Sequence, residues 1–205
     1  MSTVAVSPSL GKTVLISIGG ATGTIFFSSA SDAQTFAQNI WNAYLGGTGS
    51  RPFGPGVVFD GVDLDIENNS PPYWGDFTTE LRSLFATDTS KQYLISSAPQ
   101  PEPIESSEQP IVDFLLNAWL DIAFIQEYNN PGFGTSNDCA LKSHGSDTLT
   151  YWQWWDSWAR GTEANGNVSK NKNVKLVFGL PGDNSPDCAN DYQSVSTMSS
   201  NVAQM

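Results

Sequence analysis

Five times along this chain a short apolar run gives way to a stretch with helical spacing. The runs at residues 13–18, 57–66, 93–98, 122–128 and 174–180 have strand length. The stretches at 32–45, 74–85, 111–119, 148–160 and 192–205 read as helices, with Asp32 as the expected N-cap of the first and Gly46-Gly47 as its stop. The strand-like runs are apolar on both faces, as strands of a parallel sheet covered by helices are. This pattern predicts an α/β protein of βα repeats. A doubly wound sheet and a closed barrel both satisfy it, but no Gly-x-Gly-x-x-Gly follows the first run, which weakens a dinucleotide-binding fold. Polar residues gather just past the predicted strand ends (Glu67, Asn68, Gln126, Tyr128 and Asn129), where a barrel carries its active site.

Composition narrows the partner. The 205 residues show no composition break, so a single domain over 1–205 is expected. Asp and Glu outnumber Lys and Arg by 21 to 9, giving a net charge of -12. Such a chain is poorly suited to nucleic acid or to an anionic membrane surface, and no run is long and apolar enough to cross a bilayer. A neutral substrate such as a sugar fits better. Seven Trp, six Tyr and eleven Phe would suit sugar rings, although most belong in a core. The two cysteines, Cys139 and Cys188, lack metal-ligand spacing and suggest a disulfide, with two reduced thiols as the alternative; a disulfide together with two Asn-x-Ser sequons points to secretion. The first residues do not form a signal peptide.

The richest segment is Phe59-Asp60-Gly61-Val62-Asp63-Leu64-Asp65-Ile66-Glu67. Side chains alternate along a strand, so Asp63, Asp65 and Glu67 share one face while Val62, Leu64 and Ile66 pack beneath helices. Carboxylates this close are costly and should raise at least one pKa, leaving a protonated group able to act as a general acid. Glu67, last of the three and nearest the mouth, is the candidate acid. A hard-cation site or a hydrogen-bonded cluster remains open on spacing alone. Asp60 points the other way and reads as structural. Trp152, Trp154, Trp155 and Trp158 stand at helical spacing and read as packing, and His144, in a polar loop, is given no role.

Asp60-Gly-Val-Asp-Leu-Asp-Ile-Glu67 is similar to the Asp-Gly-x-Asp-x-Asp-x-Glu pattern of family 18 glycoside hydrolases. Ser17-Ile18-Gly19-Gly20, Arg51-Pro52, Tyr73-Trp74, Ser97-Ala98-Pro99-Gln100, Gln126-Glu127-Tyr128-Asn129-Asn130-Pro131 and Gly179-Leu180-Pro181 resemble its class III, plant and fungal, chitinase branch. The resemblance implies a (β/α)8 TIM-type barrel, no cofactor, a secreted protein, and substrates built of β-1,4-linked N-acetylglucosamine. It implies retaining, substrate-assisted chemistry, in which the sugar's own acetamido oxygen attacks. Glu67 would then be acid and base. Asp65 would orient the acetamido group, Asp63 would sit behind Asp65 and share its proton, and Tyr128 would donate to the acetamido oxygen. Gln126, Asn129, Gly19, Gly20 and Ala98 would line the substrate site. Action on N-glycans, as an endo-β-N-acetylglucosaminidase, is a neighbouring reading, and a non-catalytic lectin or inhibitor is a second.

Against the eight strands of that barrel, five βα units are readable, matching its third to seventh strands, so an incomplete barrel is expected. The first and last runs would be bare edges that seek partners, which predicts a homo-oligomer. Pro101 and Glu127 stand where the resemblance leads one to expect a cysteine and an aromatic residue. The alternation sends the Glu127 side chain into the helix layer.

Overall fold

The structure, a computed structural model, describes residues 11–67, 72–100, 111–128, 148–163, 166–182, 192 and 194–203. Five strands form one parallel sheet in the order β1 (Ile16–Gly19), β2 (Gly61–Asp65), β3 (Leu94–Ser97), β4 (Ile122–Gln126) and β5 (Lys175–Gly179). Between and after them run α1 (Ala30–Tyr44), α2 (Trp74–Phe85), α3 (Ile111–Asn117), α4 (Thr148–Arg160) and α5 (Val195–Val202). Strands that follow one another in the chain are neighbours in the sheet, which is the ordering of a (β/α) barrel and not of a doubly wound sheet. The sheet is an arc of an incomplete barrel, with β1 and β5 at its edges among the described residues.

The helix-facing side of the strands is the core. Val62, Leu64, Ile95, Ala123 and Ile125 are wholly buried there, and Ile18 and Ile66 nearly so. Against them α1 and α2 bring a cluster of rings, with Trp74 in edge contact with Phe27 at 4.8 Å and with Phe77 at 5.3 Å between centroids. Trp152, Trp155 and Trp158 of α4 are buried, and Trp152 lies 4.8 Å from the Phe178 ring on β5. The helical spacing of these tryptophans thus reflects packing.

Two carboxylates lock the N-terminal ends of the strands. Asp60 accepts the Val14 N–H at 2.8 Å and pairs with Lys91 at 2.5 Å. Asp121 accepts the Ile95 N–H at 2.8 Å and pairs with Arg82 at 2.5 Å. Each ties a neighbouring segment to a cation, Arg82 on α2 or Lys91 in the turn before β3, at the barrel end associated with stability.

The elements differ from the sequence reading chiefly at their ends. Ser29, and not Asp32, caps α1: its hydroxyl accepts the Asp32 N–H, while the Asp32 carboxylate accepts the Ser28 N–H at 2.9 Å. It resembles a capping box in which the return bond goes to the residue before the cap. The expected stop holds, because Gly47 returns its N–H to the Trp41 carbonyl. The second strand begins at Gly61 and not at 57, because the Phe59 N–H donates to the Tyr44 carbonyl at the end of α1 and not to a neighbouring strand.

Candidate active site

Register assembles the site. Ser17 of β1, Asp63 of β2 and Ser96 of β3 are Cα partners in one row across three strands. The Ser17 hydroxyl donates to Asp63 Oδ2 at 2.8 Å and the Ser96 hydroxyl to Asp63 Oδ1 at 2.6 Å. Both Asp63 oxygens are thereby held from the flanking strands. Neither serine was singled out for this role by the motif, because strand register is not written in local spacing.

One row nearer the mouth, Asp65 faces Gly19. A Cβ on Gly19 would lie 2.0 Å from the Asp65 carbonyl oxygen, and its φ of 112° belongs to glycine. Gly19 therefore serves the close approach of two backbones. Gly20 is the residue that leaves room beside a carboxylate: a Cβ there would come within 4.0 Å of Asp65 Oδ2. Its N–H donates to the Asp65 carbonyl at 2.7 Å.

Asp65 and Glu67 act on each other, and each carboxyl lies above its usual range. Burial pushes the Glu67 carboxyl above its usual range, with the Asp65 charge and the Asp65 hydrogen bond adding to the rise and Gln126 opposing it. Burial also raises Asp65, followed by the Asp63 charge, while hydrogen bonds from Glu67 and Gln126 pull it down. Such an arrangement sets an acid with a raised pKa beside a second carboxylate, the kind of pairing general acid catalysis uses.

Gln126, at the end of β4, braces the pair. Its amide nitrogen donates to Asp65 Oδ1 at 2.9 Å and to the Ala98 carbonyl at 2.7 Å. Ala98 contributes through that carbonyl. The Tyr128 hydroxyl is raised in pKa by burial first and then by the charges of Asp65 and Glu67. Its ring rests on Gly179, where a Cβ would meet the ring edge at 3.0 Å. Glu127 alternates away and is 2% exposed, in the helix layer as expected. Asn129, Cys139, Cys188, Pro101, His144 and the Asn68 sequon lie outside the described residues. In the other sequon, Ser169 is buried and its hydroxyl is bonded within a turn to Asn171. Among the described residues no group of three His, Cys, Asp or Glu is disposed to hold a metal ion.

Comparison with known proteins agrees with this geometry. Residues 6–182 match the model of the glycosyl hydrolases family 18. An endochitinase of Saccharomyces cerevisiae is 42% identical over 200 residues, 96% of this chain and 31% of that protein. Chitinase 1 of Candida albicans is 40% identical over 197 residues, 95% of this chain and 36% of that protein. The chain thus spans about a third of the length of these curated relatives. A solved xylanase-alpha-amylase inhibitor protein in complex with trehalose superposes with a TM-score of 0.69 at 25% identity, over 98% of this chain and 69% of that one. With its carboxylate strand, its sheet order and this match over most of its length, the chain belongs to family 18 of the glycosyl hydrolases.

Proposed function

We propose that the chain carries the catalytic centre of a secreted chitinase that cleaves β-1,4-linked N-acetylglucosamine polymers by a retaining, substrate-assisted route. The observation that carries this reading is the row of carboxylates along β2 and just past it, with Asp63 held by Ser17 and Ser96, Asp65 held by Gln126, and Glu67 raised by burial so that it keeps its proton more tightly. Glu67 gives that proton to the leaving glycosidic oxygen. The substrate's acetamido oxygen attacks the anomeric carbon as that bond breaks, and Glu67, now a base, takes a proton from the water that opens the cyclic intermediate. Asp65, left charged, orients the acetamido N–H and offsets the positive charge of the intermediate. Tyr128 donates to the acetamido oxygen, Gln126 holds Asp65 in position, and Asp63, fixed by two serine hydroxyls, supports Asp65 from below. The test is fluorophore release from a chitotriose glycoside by the parent and by Glu67→Gln. Turnover is expected from the parent and a fall of at least about 1,000-fold in the variant. Equal rates would sink the assignment.

A binding protein without turnover is the second reading. It is favoured by the apolar concave face, where Phe124 of β4 and its register partner Val177 are 39% and 42% exposed, and by the edge strands β1 and β5. Saccharide binding by folded protein that releases no fluorophore would decide for it. The same two edges support self-association, which a strictly monomeric mass by light scattering would refute.

A further inference from the structure

A second cleft opens on the outer surface, where the first turns of α2 meet the end of α3 and the segment leading into β4. Its volume is about 470 Å3, and its walls include Tyr73, Asp76, Thr79, Asn117, Trp119 and Lys170. None of the carboxylate cluster lines it. The cleft is built on rigid parts. A Cβ on Gly75 would stand 2.9 Å from both Cβ and the carbonyl oxygen of Asn117, so the two segments meet this closely only because residue 75 is glycine. The Trp119 backbone is held from both sides, donating its N–H to Thr78 Oγ1 at 3.2 Å and accepting from Arg82 at 3.4 Å. Tyr73 sits at φ 86°, a left-handed conformation that bulky residues adopt at a cost and that gathers at binding sites.

On this fixed base the Trp119 side chain is left 45% exposed. A lone exposed indole needs no explanation, but this one shares a concave wall with hydroxyl, amide, carboxylate and ammonium groups. The charges are one of each sign, and neither Asp76 nor Lys170 is in an ion pair among the described residues. An anion would face Asp76 and a cation would face Lys170. A neutral ring with an apolar face and a rim of hydroxyl and amide groups satisfies both charges and the indole together. The volume falls in the range of about 300–1,000 Å3 typical of small-molecule sites.

We infer that this cleft is a second saccharide site, separate from the carboxylate centre. A pyranose face stacks on Trp119 while Asp76, Asn117 and Lys170 bond the ring's hydroxyl and acetamido groups. The site itself stands on the cleft; that its sugar is an N-acetylglucosamine chain rests on the function proposed above.

The test follows the indole N–H resonance of Trp119, identified as the one lost in Trp119→Phe. The background is Glu67→Gln, and the probes are N-acetylchitotetraose and maltotetraose. A saturable shift with the chitotetraose is expected, together with a loss of about tenfold or more in retention on chitin beads for Trp119→Ala. Unchanged retention, or a resonance that stays still while those of the Tyr128 side move, would overturn the inference. An equal response to maltotetraose would overturn the assignment to N-acetylglucosamine chains. A Trp119 shift with no binding at the carboxylate centre leaves this inference standing and removes the proposed function, so the two failures are separable.

Discussion

Replacing Ser96 by alanine tests the idea that register, and not the motif alone, builds the catalytic strand. Ser96 is fully buried, and its hydroxyl meets Asp63 Oδ1 at 2.6 Å. Hydrogen bonds to charged groups contribute about 1.5–3 kcal/mol, and alanine opens little cavity here. Asp63 is half-buried, so water recovers part of the loss, and about 2 kcal/mol is expected. That is close to a 30-fold change in the folding equilibrium, or about 4–8 °C in Tm for a chain of this size. Ser17 bonds the other oxygen at 2.8 Å but is exposed, so Ser17→Ala should cost about 0.5–1 kcal/mol. Urea unfolding followed by tryptophan fluorescence measures both as midpoint shifts at constant slope. In an Asp63→Ala background the Ser96 change should cost little, because the two side chains act as a pair. A loss under about 0.5 kcal/mol, or the same loss with Asp63 absent, would refute the reasoning.

Other outcomes follow from the same geometry. Gly19→Ala should destabilise by about 3 kcal/mol or more, since it combines a disfavoured φ with a Cβ 2.0 Å from the Asp65 carbonyl; a melting temperature within about 3 °C of the parent would contradict this. Asp65 and Glu67 both lie above their ordinary values of 3.8 and 4.5, so the folded chain binds their protons more tightly than the unfolded chain does. Their contribution to stability therefore falls as pH rises from those ordinary values through the raised ones. Glu67→Gln should accordingly be more stable than the parent at pH 7, with the gap closing at about pH 3.5, as read by urea midpoints. Tyr128→Phe should lower kcat by about 100-fold, the scale of one lost donor to a developing charge, with an unchanged urea midpoint; a change confined to KM would place Tyr128 in binding alone.

Much of this was legible in the sequence because both relevant periods are short. Alternation by two put Asp63, Asp65 and Glu67 on one face and Val62 and Leu64 on the other, and the structure follows it. Helical spacing gave α2 and α4 their observed limits. The cysteines and Asn129 were also read, but they fall outside the described residues. What local spacing could not supply was the partner across the sheet. Ser17 and Ser96 are ordinary serines until register sets them on either side of Asp63. Gly179 carries no signal of the Tyr128 ring that lies against it. The cap of α1 lies three residues before the expected one because Ser29 and Asp32 are both capping residue types at the helix start, the Ser29 hydroxyl accepting the Asp32 N–H and the Asp32 carboxylate accepting the Ser28 N–H.

The strand order has a consequence for how such a chain is made. Each strand of β1-β2-β3-β4-β5 pairs with the one synthesised just before it, across one intervening helical segment. As the chain leaves the ribosome at about 5–20 residues per second, every new strand finds its template already in place. The Ser17–Asp63–Ser96 row would close in that sequence, with Asp63 docking first on Ser17 and then receiving Ser96. The Asp63 carboxylate would thus gain hydrogen bonds from both flanks during synthesis, before the fourth strand emerges.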